Sequence, residues 1–324
     1  MILVLKSVTY LLTPVTFPYK MKRLTLLTNP DKCNLHCPLC FLNQRDAGAS
    51  GRREFGMGEM PLEVALAAIE KYAAERDASG NRVLREVIPS TMGEPLLYSR
   101  FDELLEFCRT IEIPLNLTTN GTFPGKWGRE TAMETLLRSC SDIKVSYLAS
   151  EQFDGWIANV EKLMDVRKFL IAERAAGRVD ADPATVSLQV TLHRKNQQKI
   201  PEIVSWASAI GINRIKWNPV VFLGAAPAEL WHEFALDCGL DEIRKQILDV
   251  AALCGDKVKN EGALFMNGPH RHFSQVDGTC PFTDEVWILP DGSEDHCPSP
   301  ERRYGNKKAG CCFLENCFKT KNFL

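Results

Sequence analysis

"RLTLLTNPDKCNLHCPLCF", residues 23 to 41, joins a strand-like run to three cysteines, Cys33, Cys37 and Cys40, at the spacing Cys-x3-Cys-x2-Cys. Three thiols so close together call for a disulfide framework or a metal. Disulfide frameworks belong to small secreted chains, whereas this one has 324 residues and 45% apolar composition, enough for a large core. The first twenty residues are apolar, but Lys6, Pro14 and Pro18 interrupt them, no basic segment precedes them and no small-residue cleavage site follows. Residues 1–22 are therefore expected to form an extension, not a signal peptide or membrane span, and the protein to be cytoplasmic with reduced thiols. Lys plus Arg number 39 and Asp plus Glu 41, a formal net charge of -2, which gives no electrostatic reason to expect nucleic acid or an anionic membrane as partner. The function has to lie in a local site.

Working outward from the first strand, strand-like runs alternate with amphipathic helices. A loop rich in Gly and Arg leads to a helix on which Leu62, Ala65, Leu66, Ile69 and Ala73 share a face. Then come "VLREVIP", a helix around 101–110, "IPLNLTT", a helix around 130–140 and "DIKVSYLA". A helix carrying Phe153, Trp156, Val160 and Leu163 follows, then "TVSLQVTL", a helix with Ile200, Ile203, Ala207 and Ile210, and "RIKWNPVVFL". Six strands with five intervening helices imply an α/β fold with a parallel sheet, here an open, partial (β/α)6 TIM-like barrel over residues 23–225. In such sheets the reactive residues lie beyond the C-terminal ends of the strands. Those ends read "NPDKCNLHCPLC", "STMGEP", "TTNGT", "SYLAS" and "TLHRKN". After residue 225 the pattern changes to a helical linker, 226–270, and a small C-terminal domain, 271–324, with the hairpin "EVWILPDGSEDHC" turned by Pro290, Asp291 and Gly292.

The chain has twelve cysteines, and helical spacing assigns four of them to the core. Cys108 follows Phe101, Leu104 and Leu105; Cys140 follows Met133, Leu136 and Leu137; Cys254 follows Ile243, Ile247 and Val250. Cys238 follows Trp231, Phe234 and Ala235 on a helix expected to stop at Gly239. Cys238 and Cys254 keep a second reading as hydrogen-atom donors to a substrate radical. The remaining eight, Cys33, Cys37, Cys40, Cys280, Cys297, Cys311, Cys312 and Cys317, fall on no helical apolar stripe and are the metal-ligand candidates.

Structural zinc takes four ligands, usually as two separated pairs, and the single triplet does not supply them; His36 is the nearest substitute, and a histidine beside a ligand usually points elsewhere. A four-iron, four-sulfur cluster fits better, because a short loop can cap three irons and leave one open. The triplet at the end of a first strand, "MGEP" at Met92 to Pro95 after the second and "TTNGT" after the third resemble the radical S-adenosylmethionine (radical SAM) superfamily. The resemblance implies a SAM-binding 4Fe-4S cluster on Cys33, Cys37 and Cys40, with the open iron chelated by SAM. It implies reductive cleavage of SAM to a 5′-deoxyadenosyl radical, with electrons from a reductant such as flavodoxin or ferredoxin. Gly93 and Glu94 would meet the SAM amino group, Ser146 the ribose and Gln189 the adenosyl group. Two positions depart from the family pattern: Met92 replaces a glycine, and Leu39 stands where an aromatic residue is common.

Cys280, eleven residues, Gly292, four residues and Cys297 resemble the start of the SPASM auxiliary-cluster domain or its shorter relative, twitch. Five thiols suit one auxiliary 4Fe-4S cluster, held by Cys280, Cys297, Cys317 and either Cys311 or Cys312; zinc at these cysteines is the alternative. Relatives with such domains modify ribosomally made peptides or oxidise small molecules such as aminosugars. Peptide crosslinking, epimerisation or oxidation is the first expectation, small-molecule oxidation or rearrangement the second, and a non-catalytic iron-sulfur electron carrier or zinc protein the reading from another class. His193, Arg194 and Lys195 either meet a carboxylate or phosphate or form a solvated loop; His270 and His272 have no ligand spacing, and "KTKNFL" reads as a solvated tail.

Overall fold

The alternation of strands and helices becomes one sheet with its helices. The computed structural model describes residues 23–44, 58–90, 92–147, 155–224, 226–265 and 285–295. Strands β1 (Arg23–Leu26), β2 (Glu86–Ile88), β3 (Leu115–Thr119), β4 (Cys140–Tyr147), β5 (Thr185–Leu192) and β6 (Arg214–Pro219) correspond to the six expected runs. Between them lie α1 (Leu62–Ala73), α2 (Phe101–Thr110), α3 (Glu130–Ser139), α4 (Trp156–Ala175) and α5 (Ile200–Ile210). Then come α6 (Ala228–Phe234), α7 (Leu240–Leu253), β7 (Lys259–Glu261), β8 (Glu285–Ile288) and β9 (Glu294–Asp295). The strand order is β7-β6-β5-β4-β3-β2-β1-β8-β9, parallel throughout except for the β8–β9 hairpin. The α/β partial-barrel class expected from the sequence is the one observed.

The two faces of the sheet differ in chemistry. Along β6, Ile215 and Trp217 are fully buried, while Arg214, Lys216 and Asn218 on the opposite face are part-exposed. Leu24, Val87, Leu117, Val145 and Leu188 join Ile215 and Trp217 in one core with helix residues such as Ile69, Leu104, Leu136, Leu163 and Val204. Each such side chain removed from water contributes about 1.5–3 kcal/mol. A parallel sheet covered on both faces would read as unbroken apolar runs. Alternation along β6 therefore marks a face turned to an open interior, which is where a site can form.

The expectations for Cys140, Cys238 and Gly239 are corrected. Cys140 is buried as expected, but it is the first residue of β4, not helical: its N–H still bonds to Leu136 O, while its own backbone is extended and pairs with Leu115. Cys238 lies between helices. Arg194 N bonds to Phe234 O at 3.1 Å and the Arg194 guanidinium to His232 O, so these carbonyls cannot carry α6 onward. Gly239, expected as a stop, caps the N-terminus of α7. The sheet also runs through both expected domain boundaries. Segment 226–265 contributes β7, paired with β6, and α7, packed on α5. The first strand of the expected C-terminal hairpin, β8, pairs in parallel with β1, and Leu27 N bonds to Ile288 O at 2.9 Å. This pairing covers the edge that β1 would otherwise expose. Residues 1–22, His270, His272, Cys280, Cys297, Cys311, Cys312, Cys317 and "KTKNFL" lie outside the described residues.

Candidate active site

The triplet follows β1 in a loop built on its own backbone. Cys40 N bonds to Cys37 O at 3.0 Å, Gln44 N to Cys40 O at 3.1 Å, and the Asn43 side-chain amide to Cys37 O at 2.7 Å. Two further amides fasten this loop to other strand ends. Asn29 Nδ2 donates to Glu94 O at 2.7 Å, and Glu94 N to Lys32 O at 2.8 Å, joining the β1 and β2 ends. Gln44 is fully buried; its Nε2 donates to Leu39 O and Val221 O at 2.9 and 3.1 Å, and its Oε1 accepts from Leu223 N at 2.8 Å, joining the β1 and β6 ends.

Gly93 sits where β2 passes closest to the triplet loop. Its φ is +70°, and a Cβ there would collide with Asn29 O and stand 2.7 Å from Lys32 O, so only glycine permits the approach. Met92, the departure beside it, is buried against Leu42 and Leu223 and helps wall the site. Leu39, the other departure, packs with Val220, Phe222 and Phe234.

The strand ends enclose a cleft of about 370 Å³. Cys33, Cys37 and Cys40 line it together with Gly93, Ser146 and Gln189, which sequence reasoning had chosen separately. Ser146 and Gln189 are register partners on β4 and β5 and so present their side chains to the same face. Asn120, in the "TTNGT" stretch, also lines the cleft; its Nδ2 lies 3.7 Å from Cys33 Sγ as a donor and 2.9 Å from Asn34 Oδ1.

Glu94, expected to face SAM, does not line the cleft. Its carboxylate is fully buried and accepts from Thr119 Oγ1 at 2.8 Å, Asn120 N at 2.7 Å and Leu96 N at 3.3 Å. Burial outweighs these three donors and raises its pKa to about 7. Glu94 is thus a clasp between the β2 and β3 ends, one shell away from where the sequence placed it.

The other candidates are not brought to the cleft. His36 is exposed. His193 is buried edge-on against Phe234, Arg194 pairs with Asp237 at 2.6 Å, and Lys195 pairs with Glu233, so this trio ties β5 to the segment around α6. Cys238 and Cys254 do not line the cleft, and Cys254 Sγ is 3.8 Å from Ser205 Oγ on α5. Burial pushes the Cys108 thiol up to about 12 and Cys140 higher still, which fits inert core thiols. Sequence reasoning missed Asn29 and Gln44, for which a lone polar residue in a loop gives no periodic signal.

The donor set suits an iron-sulfur cluster. Three soft thiolates share one cleft, and neutral polar groups face them. A cluster takes one thiolate at each of several irons, which three cysteines spaced along one loop can supply. No helix among the described residues is long and apolar enough to cross a membrane.

No protein-family model matches the sequence. No curated protein matches it either. The fold does match solved structures. Streptococcus suis SuiB superposes with a TM-score of 0.59 at 16% identity, over 94% of this chain and 66% of SuiB. SuiB bound to the precursor peptide SuiA gives 0.56 at 16% identity, over 94% and 65% of the two chains. Native anSMEcpe with bound AdoMet and the Kp18Cys peptide gives 0.53 at 15%, over 93% and 83%. The chain spans about two thirds of the length of SuiB. With the cysteine triplet at the end of its first strand and the helices outside its sheet, the chain has the fold of the radical SAM superfamily.

Proposed function

We propose that this chain is a radical SAM enzyme that modifies a ribosomally made peptide. The observation that carries the reading is the convergence of Cys33, Cys37, Cys40, Gly93, Ser146 and Gln189, drawn from four strand ends, on one cleft. The three cysteines would hold a 4Fe-4S cluster, and SAM would lie along Gly93, Ser146 and Gln189. When bound, the cluster and SAM supply a reductively generated 5′-deoxyadenosyl radical that abstracts a hydrogen atom from substrate. The protein's own part is placement. Gly93 lets the β2 end approach the triplet loop, the Asn29 and Gln44 amides fix three strand ends relative to one another, and apolar walls from Leu39, Met92 and Val220 limit water beside the reactive centre.

A peptide substrate is supported by the fold shared with SuiB, which has been seen with its precursor peptide, and with anSMEcpe, which has been seen with the Kp18Cys peptide. Cys280, Cys297 and Cys317, with Cys311 or Cys312, would hold an auxiliary 4Fe-4S cluster that passes electrons, with flavodoxin or ferredoxin as the external reductant. The test is anaerobic reconstitution with iron and sulfide, reduction with dithionite in the presence of SAM, and chromatography for 5′-deoxyadenosine. Wild type should form it, and the Cys33→Ala, Cys37→Ala, Cys40→Ala variant should not while retaining the iron of the auxiliary site. Equal product from both proteins, or none from either, overturns the reading.

A further inference from the structure

Two lysines stand on the cleft-facing side of the sheet, below the residues that line it. Lys144 on β4 is the register partner of Thr118 on β3 and Ser187 on β5, and it precedes Ser146 by two positions on the same face. Lys216 on β6 is the register partner of Gln189. Thr118, Ser146 and Gln189 all line the cleft. Paired residues in a parallel ladder share a face, so both lysines stand on the side of the sheet that faces the cleft, in the layer beneath the residues that line it, and neither is itself a lining residue.

Lys144 is only 9% exposed, and lysines so buried are nearly always paired. Lys144 is not: among the described residues its ammonium group makes no hydrogen bond and no ion pair within 4.0 Å. The acids around it are engaged by other groups. Asp142 accepts from Thr185 Oγ1 and Ser187 Oγ, each at 2.8 Å, and Arg214 lies 3.9 Å away. Glu86 takes Arg23 at 2.7 Å, Asn116 Nδ2 at 2.9 Å and Ser141 Oγ at 2.8 Å. Lys216 has Glu261 at 3.5 Å, which Lys259 shares at 3.1 Å. A buried cation whose neighbouring carboxylates are already occupied is a place for an incoming anion.

We infer that Lys144, seconded by Lys216, forms an anion subsite in the layer beneath the cleft lining that receives a carboxylate group of the substrate. The inference deepens the peptide-modifying reading and rests on it, and the group recognised is either an acidic side chain or a chain terminus. Burial, and next the neighbouring Lys216, lower the Lys144 pKa to about 8, a penalty that a bound carboxylate relieves. The charged groups facing it are Arg23 on β1, Glu86 on β2, Asp142 on β4 and Lys216 on β6.

The test uses the reconstituted, SAM-loaded protein and ligand-observed nuclear magnetic resonance. N-acetyl-glutamate α-methylamide presents a side-chain carboxylate, N-acetyl-alanine a terminal one, and their primary amides serve as neutral controls. One of the two acids should bind, identifying the source of the carboxylate, and neither amide should. Lys144→Met should weaken that binding about tenfold, and Lys144→Arg should retain most of it. In wild type the binding should fall as pH rises through about 8, a readout that does not depend on any variant folding. Acid and amide bound alike, no acid bound, undiminished binding to a folded Lys144→Met or a flat profile from pH 6.5 to 9.5 (roughly the span around that midpoint) overturns the subsite. Carboxylate binding without 5′-deoxyadenosine formation in a parallel sample overturns the enzyme reading alone.

Discussion

The rim of the cleft and the layer beneath it hold themselves together by different chemistry. At the rim, strand ends are joined by neutral side chains: Asn29 to the Glu94 backbone, Gln44 to the β6 end, Asn120 to Asn34. Beneath the cleft, towards the strand starts, the links are ionic: Arg23 with Glu86 at 2.7 Å and with Glu285 at 3.6 Å, Arg214 with Asp142 and with Glu261 at 3.9 Å each. An amide carries donor and acceptor without net charge. Beside three thiolates a carboxylate link would add repulsion, and at the distance of the lower layer it does not. Glu94, the carboxylate that clasps the β2 and β3 ends, is fully buried and has its pKa raised to about 7. The amide links beside the triplet are neutral where the cluster would be anionic, and the layer beneath the cleft is charged where a substrate group would end.

Breaking the clasp at Glu94 should have the largest effect on stability. Glu94→Ala leaves Thr119 Oγ1, Asn120 N and Leu96 N without their acceptor and should cost about 3 kcal/mol or more in denaturant unfolding. The wild-type acid also sets a pH dependence with a definite sign. Its folded pKa of about 7 lies above the ordinary glutamate value of 4.5, so between these values the folded state holds the proton more tightly. Its stabilising contribution is complete below the unfolded pKa and is lost as pH rises through about 7. Glu94→Gln should flatten that segment of the stability profile. An unchanged slope would show that another group sets it.

Gln44 comes next, because its side chain serves three backbone groups on two strand ends. Gln44→Leu keeps the volume and removes those bonds, and should lower stability by about 2 kcal/mol. It should also speed proteolysis at the triplet loop relative to the sheet, since the loop loses its tie to the β6 end. Equal protection in variant and wild type would mean that the Leu39, Val220 and Phe222 packing alone holds the β6 end.

Sequence legibility follows the same division. The six central strands could be read because their outward residues, such as Val186, Leu188 and Val190 on β5, are apolar. β7, "KNE", carries no apolar residue and was invisible, and nothing local in "EVWI" indicates that its partner would be β1. Cys108 obeyed helical spacing because α2 continues through it, whereas Cys238 did not because Arg194, distant in sequence, takes the carbonyls of α6. Cys33, Cys37, Cys40, Gly93, Ser146 and Gln189 were legible as motif or strand-end residues. Asn29, Gln44 and Lys144 were not, since their roles exist only once separate strand ends stand side by side.

The finest test of the neutral rim is at Asn120, where the expected effect is smallest. Its Nδ2 is the side-chain donor 3.7 Å from Cys33 Sγ, and a hydrogen bond to a ligating sulfur raises the reduction potential of a cluster by stabilising the more negative state. Asn120→Ala should therefore make the potential of the triplet-bound cluster more negative, on the order of tens of millivolts, as followed by electron paramagnetic resonance during a redox titration. The same side chain also bonds to Asn34 Oδ1 and accepts from Thr122, so its loss also loosens the loop. Asn34→Ala separates the two effects, because it removes the Asn34 contact and leaves the Asn120 donor in place. If the potential follows Asn120 and not Asn34, the amide acts on sulfur; if both variants shift it equally, the amide acts by holding the loop.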